Sequence, residues 1–233
     1  MPSAPLGQNH LLSRLPPAEY QRLAARMKPV ELEFKQVVHK FREPINYVYF
    51  PIHGAASAVT VMADGSTIEI ATIGNEGVVG HSILEGNDDA SLYDIIIQVA
   101  GDAWRMDATV LREEGKKGPL REVLARYNKA FIMQLAQSVG CNGLHSAQAR
   151  CCRWLLITLD RMETNVVPVT HEFMGIMLGV RRATVTDVLI PLHEQGLVNN
   201  TRGMITILDR PGLEKLSCEC YRRVKSEFDR LMG

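Results

Sequence analysis

The stretch VTHEFMGIMLGVRRATVTDVLIPLHEQGLVNNTRGMITIL, residues 169–208, divides into two helices around a tight turn. Thr170 is a candidate N-cap, with a side-chain oxygen free to accept from the orphan N–H groups of a helix start. Phe173, Ile176 and Met177 are expected to mark the inward face of the first helix. Gly179 sits where a left-handed residue lets the chain turn sharply, and Val180 plugs the angle. A second helix opens at Arg181 and Arg182, with Val185, Leu189 and Leu192 facing a core. Pro191 removes a backbone donor and is expected to kink that helix. Gly196, a polar NNTRG turn and the alternating run Met204 to Leu208 then read as a β-hairpin. A helix-turn-helix followed by a hairpin is a winged motif, whose second helix offers its N-terminal residues to a DNA major groove.

Outward from this motif, the preceding residues change texture twice. VYFPI, AASAVTVM, STIEIATI, VVGHSIL and YDIIIQV are short β-branched runs broken by glycines, Gly86 among them. Asp64-Gly65 between two of them is a hairpin signal. Residues 30 to about 106 therefore read as an antiparallel β-barrel or sandwich. A short helix precedes it, starting at or after Pro16-Pro17. After Pro119 the period becomes helical: Leu120, Leu124, Tyr127 and Phe131 form one stripe, continued by Leu135 and Val139. That stripe suits either a helix packed on its own barrel or a parallel seam between two subunits. A further helix places Leu144, Ala147, Cys151, Trp154, Leu155, Thr158 and Met162 on one face, and Asn165 to Pro168 ends it.

Charge divides the chain. It has 233 residues and balances 26 Lys+Arg against 26 Asp+Glu. Yet residues 43–104 hold no Lys or Arg and nine acids, Glu85 included. Between residues 168 and 213 four arginines face four acids, so DNA affinity would rest on placement and on doubling by dimerisation. No apolar run is long enough to span a bilayer, and the first residues lack the pattern of a signal peptide, which implies a cytoplasmic protein with no membrane partner. Five cysteines without a framework fit a reducing compartment. Cys151-Cys152 and Cys218-x-Cys220 are expected to be structural thiols on different helix faces. No cluster of N-terminal cysteines suggests an iron–sulfur centre, and His53 and His81 stand alone rather than in a cupin metal pattern. No metal site, catalytic triad or paired carboxylate is apparent, so an enzyme is not expected.

A β-roll, a long helix and a C-terminal winged helix-turn-helix, in that order, resemble the Crp/Fnr superfamily of bacterial transcription regulators. The strings CNGLH, RWLLITLD, MLGVRRATV and RGMITILDRPGLEKLSCECY are similar to a subgroup of it. The fold implied is α+β: an antiparallel, jelly-roll-like sensor domain of the cyclic-nucleotide-binding type over residues 1–142, including a dimerisation helix at about 119–140, and a winged DNA-binding domain over 143–233. The resemblance implies a homodimer meeting through Leu120, Leu124, Tyr127 and Phe131, a palindromic DNA site, and RNA polymerase as a further partner. By position, Arg182 is the guanine-reading arginine, and a guanidinium fork suits the O6 and N7 acceptors. Thr170, Arg181 and Thr184 suit phosphate contacts, as does Arg202 at the wing tip. Thr186 and Asp187 complete the expected DNA face. Asp187 stands where well-known members carry a second base-reading arginine, so their site is not expected here.

The effector element departs most. Gly77 and Gly80 match the family's backbone turns, His81 replaces the ribose-binding glutamate, and Ser82 follows. The phosphate-holding arginine has no counterpart, because none lies between Arg42 and Arg105. An arginine-free, acidic roll is a poor host for a cyclic nucleotide. A backbone nest at Gly77 to Gly80 is the remaining route for an anion. His81 as a haem ligand is the one cofactor alternative. The functional alternative is an interaction module that binds DNA weakly and whose acidic roll recognises a protein.

Overall fold

The computed structural model describes residues 9–84, 88–162 and 164–233. Glu85, Gly86 and the first eight residues, named above, lie outside these. After a 3-10 turn at Leu12–Arg14, helix α1 (Pro17–Ala24) starts on the expected proline pair. Seven strands follow: β1 (Met27–Leu32), β2 (Val37–His39), β3 (Tyr47–Pro51), β4 (Ala55–Val61), β5 (Thr67–Ile73), β6 (Asp94–Val99) and β7 (Gly101–Asp107). They form two antiparallel sheets, β1-β7-β3 and β2-β6-β4-β5, packed into a roll. The β4–β5 hairpin closes at Asp64-Gly65, where Gly65 has φ +83°.

Helices α2 (Ala108–Glu114) and α3 (Gly118–Leu144) leave the roll. Leu120, Leu124, Tyr127 and Phe131 lie 0–3% exposed. This corrects the dimer expectation: the stripe packs into the chain's own core and cannot also meet a partner. Periodicity identified the buried face of α3, and the roll occupies it. Gly77 shows how tightly, because a Cβ there would fall 2.3 Å from the Tyr127 ring. The stripe does not continue as expected to Val139, which is 75% exposed and lies one heptad from Ile132, 56% exposed, on a face of α3 turned away from the roll.

Helix α4 (Ala147–Asp160) also departs from expectation. Every residue from Arg150 to Leu159 is buried, so it is enclosed all round rather than on one face. The expected member Leu144 instead ends α3, 84% exposed. A polar seam joins α4 to the roll. Gln98 Nε2 donates to Thr158 Oγ1 at 2.8 Å, and the Ser57 hydroxyl lies 2.6 Å from both Gln98 Oε1 and buried Glu69. Burial raises the Glu69 carboxyl above its ordinary range. A proton on Glu69 orders the row, because Glu69 can then donate to Ser57, Ser57 to Gln98, and Gln98 to Thr158.

A second link is ionic. Arg161, buried after α4, donates to Glu76 of the roll at 2.8 Å, to Gln134 of α3 at 3.2 Å and to the Ile157 carbonyl at 2.9 Å. The acidic roll thus borrows cations from outside itself; Asp89 likewise pairs with Arg112.

The remaining chain is β8 (Val166–Pro168), α5 (His171–Leu178), α6 (Arg182–Glu194), β9 (Val198–Thr201), β10 (Met204–Ile207), α7 (Arg210–Leu216) and α8 (Glu219–Met232). The segment Asn165 to Pro168, expected to end the preceding helix, contributes β8, which makes the wing a three-stranded sheet in the order β8-β10-β9. Helix α6 runs on through Pro191. Among the described residues no helix is long and apolar enough to cross a membrane.

Candidate nucleic-acid interface

The interface is built on two local devices. Thr170 caps α5, its hydroxyl oxygen accepting from the Phe173 N–H at 3.2 Å, which leaves its own proton free to donate outward. Gly179 ends α5 with φ +63° and ψ +38°, the left-handed geometry that swings the chain into α6. Phe173 and Met177 face the core as expected. Ile176 does not: it is 41% exposed, and Met174 takes the inward place. Val185, Leu189 and Leu192 are 0–1% exposed and seat α6 on that core.

Seating this face leaves the other outside. Arg181 is the N-cap of α6 and Arg182 its first residue, both exposed. Asp187 is exposed one turn further on, and Thr184 is half-buried between them. The polar turn expected over NNTRG narrows to Arg202-Gly203, because β9 runs to Thr201. Both turn residues have positive φ, +35° and +81°, which matches the twist of a two-residue hairpin. Gly203 approaches Thr170, so the wing tip stands beside the N-cap of α5. Thr170, Arg182 and Arg202 line one open groove together with His171, Glu172, Asn200 and Gly203. Among the described residues, Arg181, Arg182 and Arg202 make no ion pair. Arg210, the fourth arginine of the region, is committed to Asp160 and Glu214. Three free guanidinium groups beside a helix N-terminus form a surface suited to phosphate oxygens and base edges.

Thr186 has a different place from the one expected. Its hydroxyl donates to the Arg182 carbonyl at 3.3 Å and lies 2.9 Å from His171 Nδ1. His171 Nε2 is 2.6 Å from the Asn200 amide. With the proton on Nδ1, every partner is matched: Asn200 donates to His171, His171 to Thr186, Thr186 to Arg182. Thr186 therefore ties α6 to α5 and the wing rather than facing outward. His171 and Asn200 were not foreseen; a histidine following an N-cap carries no signal of this link.

The expected effector residues do not line an open site. His81 is 4% exposed, its ring set edge-on against Tyr127 and Phe131 at 5.2 and 4.5 Å. Burial lowers its pKa to about 4. Gly80 abuts His39 and Val48, Gly77 abuts Tyr127, and Ser82 is buried. A haem on His81 would have to displace both aromatic rings, so these residues do not fit one.

A cluster that sequence reading set aside as separate thiols does assemble. Cys141, His145, Cys218 and Cys220 bring one ligand atom each to within 4.8 Å of one another. The signals were the C-x-x-x-H spacing at the end of α3 and the C-x-C before α8, but 77 residues separate Cys141 from Cys218.

The described chain thus combines a β-roll, a long helix and a winged helix-turn-helix with unpaired arginines. Residues 149–216 match the Crp-like helix-turn-helix domain, and the chain carries that domain. It shares its fold with solved Crp/Fnr regulators. The structure of FixK2 from Bradyrhizobium japonicum aligns with a TM-score of 0.70 and 18% identity over 82% of this chain and 98% of that one. A Crp/Fnr-family regulator from Eubacterium rectale aligns at 0.63 and 20% identity, covering 88% and 96%. The c-di-GMP-responsive global regulator CLP of Xanthomonas campestris aligns at 0.66 and 13% identity, covering 82% and 99%. No curated protein matches the chain in sequence.

Proposed function

We propose that the chain is a sequence-specific DNA-binding transcription regulator that acts as a homodimer on a palindromic site. The observation that carries this reading is the exposed start of α6, where Arg181 and Arg182 stand unpaired and Arg182 lines one groove with wing residue Arg202. Arg182 reads a guanine edge in each half-site; Thr170, Arg181, Thr184 and Arg202 hold phosphates. Asp187 faces the groove as an acceptor, suited to a cytosine amino group. The two copies meet along the outer face of α3, through Ile132 and Val139, with partly buried Leu135 beside them. RNA polymerase is the further partner of such a regulator.

The roll is not a conventional cyclic-nucleotide site. Its effector element lies in the stretch 43–104, which supplies no Lys or Arg for a phosphate, and Tyr127 and Phe131 pack where Gly77 and His81 would greet a ligand. Selection of purified full-length protein on random duplex DNA tests the whole reading. The expected product is one inverted repeat whose half-sites lie about 10–10.5 base pairs apart, or a multiple of that. Failure to enrich any sequence would overturn it.

A further inference from the structure

Two short segments, distant in sequence, converge where the end of α3 meets the start of α8. Cys141 lies in the last turn of α3, and His145 follows as its C-cap, four residues on and on the same side. Cys218 is the N-cap of α8, and Cys220 lies in its first turn. All three cysteines are buried and His145 is half-buried. The sulfurs of Cys141 and Cys218 are 3.5 Å apart, and His145 Nδ1 is 3.4 Å from the Cys220 sulfur. Around a zinc ion, with Zn–S bonds of about 2.3 Å and Zn–N bonds of about 2.0 Å, a tetrahedron has edges of about 3.5–3.8 Å. A disulfide would need sulfurs about 2.05 Å apart, and all five cysteines are free thiols.

The surroundings of the four donors match those of metal ligands. His145 turns Nδ1 to the sulfurs and Nε2 to Glu219 Oε2 at 3.3 Å, the carboxylate–imidazole pairing that orients a ligating ring. Gln137 donates from Nε2 to the Cys220 sulfur at 3.1 Å, a bond that favours a thiolate. The set holds three soft sulfurs and one imidazole with no fifth position, which selects zinc and a closed structural role.

We propose that Cys141, His145, Cys218 and Cys220 bind one Zn²⁺ per chain and fasten helix α8 to the end of α3. On binding, three thiol protons pass to solvent, the imidazole stays neutral and no electron moves. The ion sits at one end of the apolar contact that α8 makes through Tyr221, Val224 and Phe228, whose ring lies 6.4 Å from that of Tyr127. It would fix the register of two helices that the chain joins only through a long intervening segment.

The test uses full-length protein carrying no histidine tag and purified under reducing conditions without chelator. Elemental analysis should find one zinc per chain. After removal of the metal, titration with Co²⁺ should give the sulfur-to-cobalt charge-transfer and visible bands of a tetrahedral thiolate site, saturating at one equivalent. Cys220→Ser and His145→Ala should lose stoichiometric zinc, while Cys152→Ser, outside the cluster, should keep it. If the cluster variants do not fold, the native wild type decides: displacing the cluster thiolates with a mercurial reagent should release one zinc per chain to a chromogenic chelator, and release of none would overturn the proposal. Reduced, folded wild type without zinc and without the cobalt bands would overturn the proposal. So would folded Cys220→Ser that retains a full equivalent of zinc, or a Cys141–Cys218 disulfide in protein kept under reducing conditions.

Discussion

Replacing Arg161 by Met should be among the most damaging single changes outside the DNA face. The side chain is 6% exposed and its partner Glu76 is 16% exposed, so solvent screens the pair little. Arg161 also satisfies Gln134 and the Ile157 carbonyl, and its guanidinium lies 5.6 Å from the Phe228 ring centroid. One residue thus joins the roll, α3, α4 and α8. Removing it leaves the Glu76 carboxylate with only the Gly74 N–H, at 3.0 Å. Breaking a buried pair by removing one partner costs about 3–5 kcal/mol, because the remaining charge is uncompensated. Set against a total stability of about 5–15 kcal/mol, that is a large fraction. Urea unfolding at fixed protein concentration would measure it as a lower midpoint with unchanged slope. Arg161→Met combined with Glu76→Gln should recover much of the loss, since no charge is then stranded. A single variant within about 1 kcal/mol of wild type, or a double variant that merely sums the two losses, would refute the reasoning.

His81 makes stability depend on pH. Its folded pKa of about 4 lies below the ordinary 6.5, so the unfolded chain binds more protons between those values. Stability is therefore complete above about 6.5 and falls by about 3 kcal/mol as the pH drops towards 4; melting curves of His81→Leu should lack this part of the slope. Ile132→Asp with Val139→Asp should yield a folded monomer by sedimentation, whereas Leu124→Asp should prevent folding; wild type sedimenting as a monomer at micromolar concentration would contradict the α3 seam. Thr170→Ala should cost about 0.5–2 kcal/mol through the lost cap of α5, read as a lower melting temperature.

What the sequence made legible was what local rules dictate. Asp64-Gly65, Thr170 and Gly179 are short-range devices whose neighbours leave them little choice, and the hairpin, cap and turn appear at those residues. The face of α3 was legible too, but not its occupant: a stripe such as Leu124, Tyr127 and Phe131 fits the chain's own roll or a second copy equally well. Ile176 and Met174, adjacent apolar choices on a short helix, were not separable by period alone. Helices α2, α7 and α8 passed unseen. For α8 the anchors Tyr221 and Phe228 find partners far earlier in the chain, Tyr221 at Asp160 of α4 and Phe228 at Tyr127 of α3. Separation in the chain likewise hid the Cys141–Cys218 cluster and the Thr186–His171–Asn200 link, since the first needs α3 and α8 to dock and the second needs α5, α6 and β9.

The central claim is that α6 reads bases while the wing holds the backbone. It is tested most directly by measuring binding of Arg182→Ala and Arg202→Ala to the selected duplex and to its single-base variants, by fluorescence anisotropy across a range of salt. Arg182→Ala should lose about 1–3 kcal/mol per half-site contact on the selected sequence and nearly nothing on variants altered at one particular base pair. Arg202→Ala should weaken all sequences alike and flatten the salt dependence. If Arg182→Ala instead lowers affinity equally for every duplex, α6 does not read the site through Arg182 and the account is contradicted.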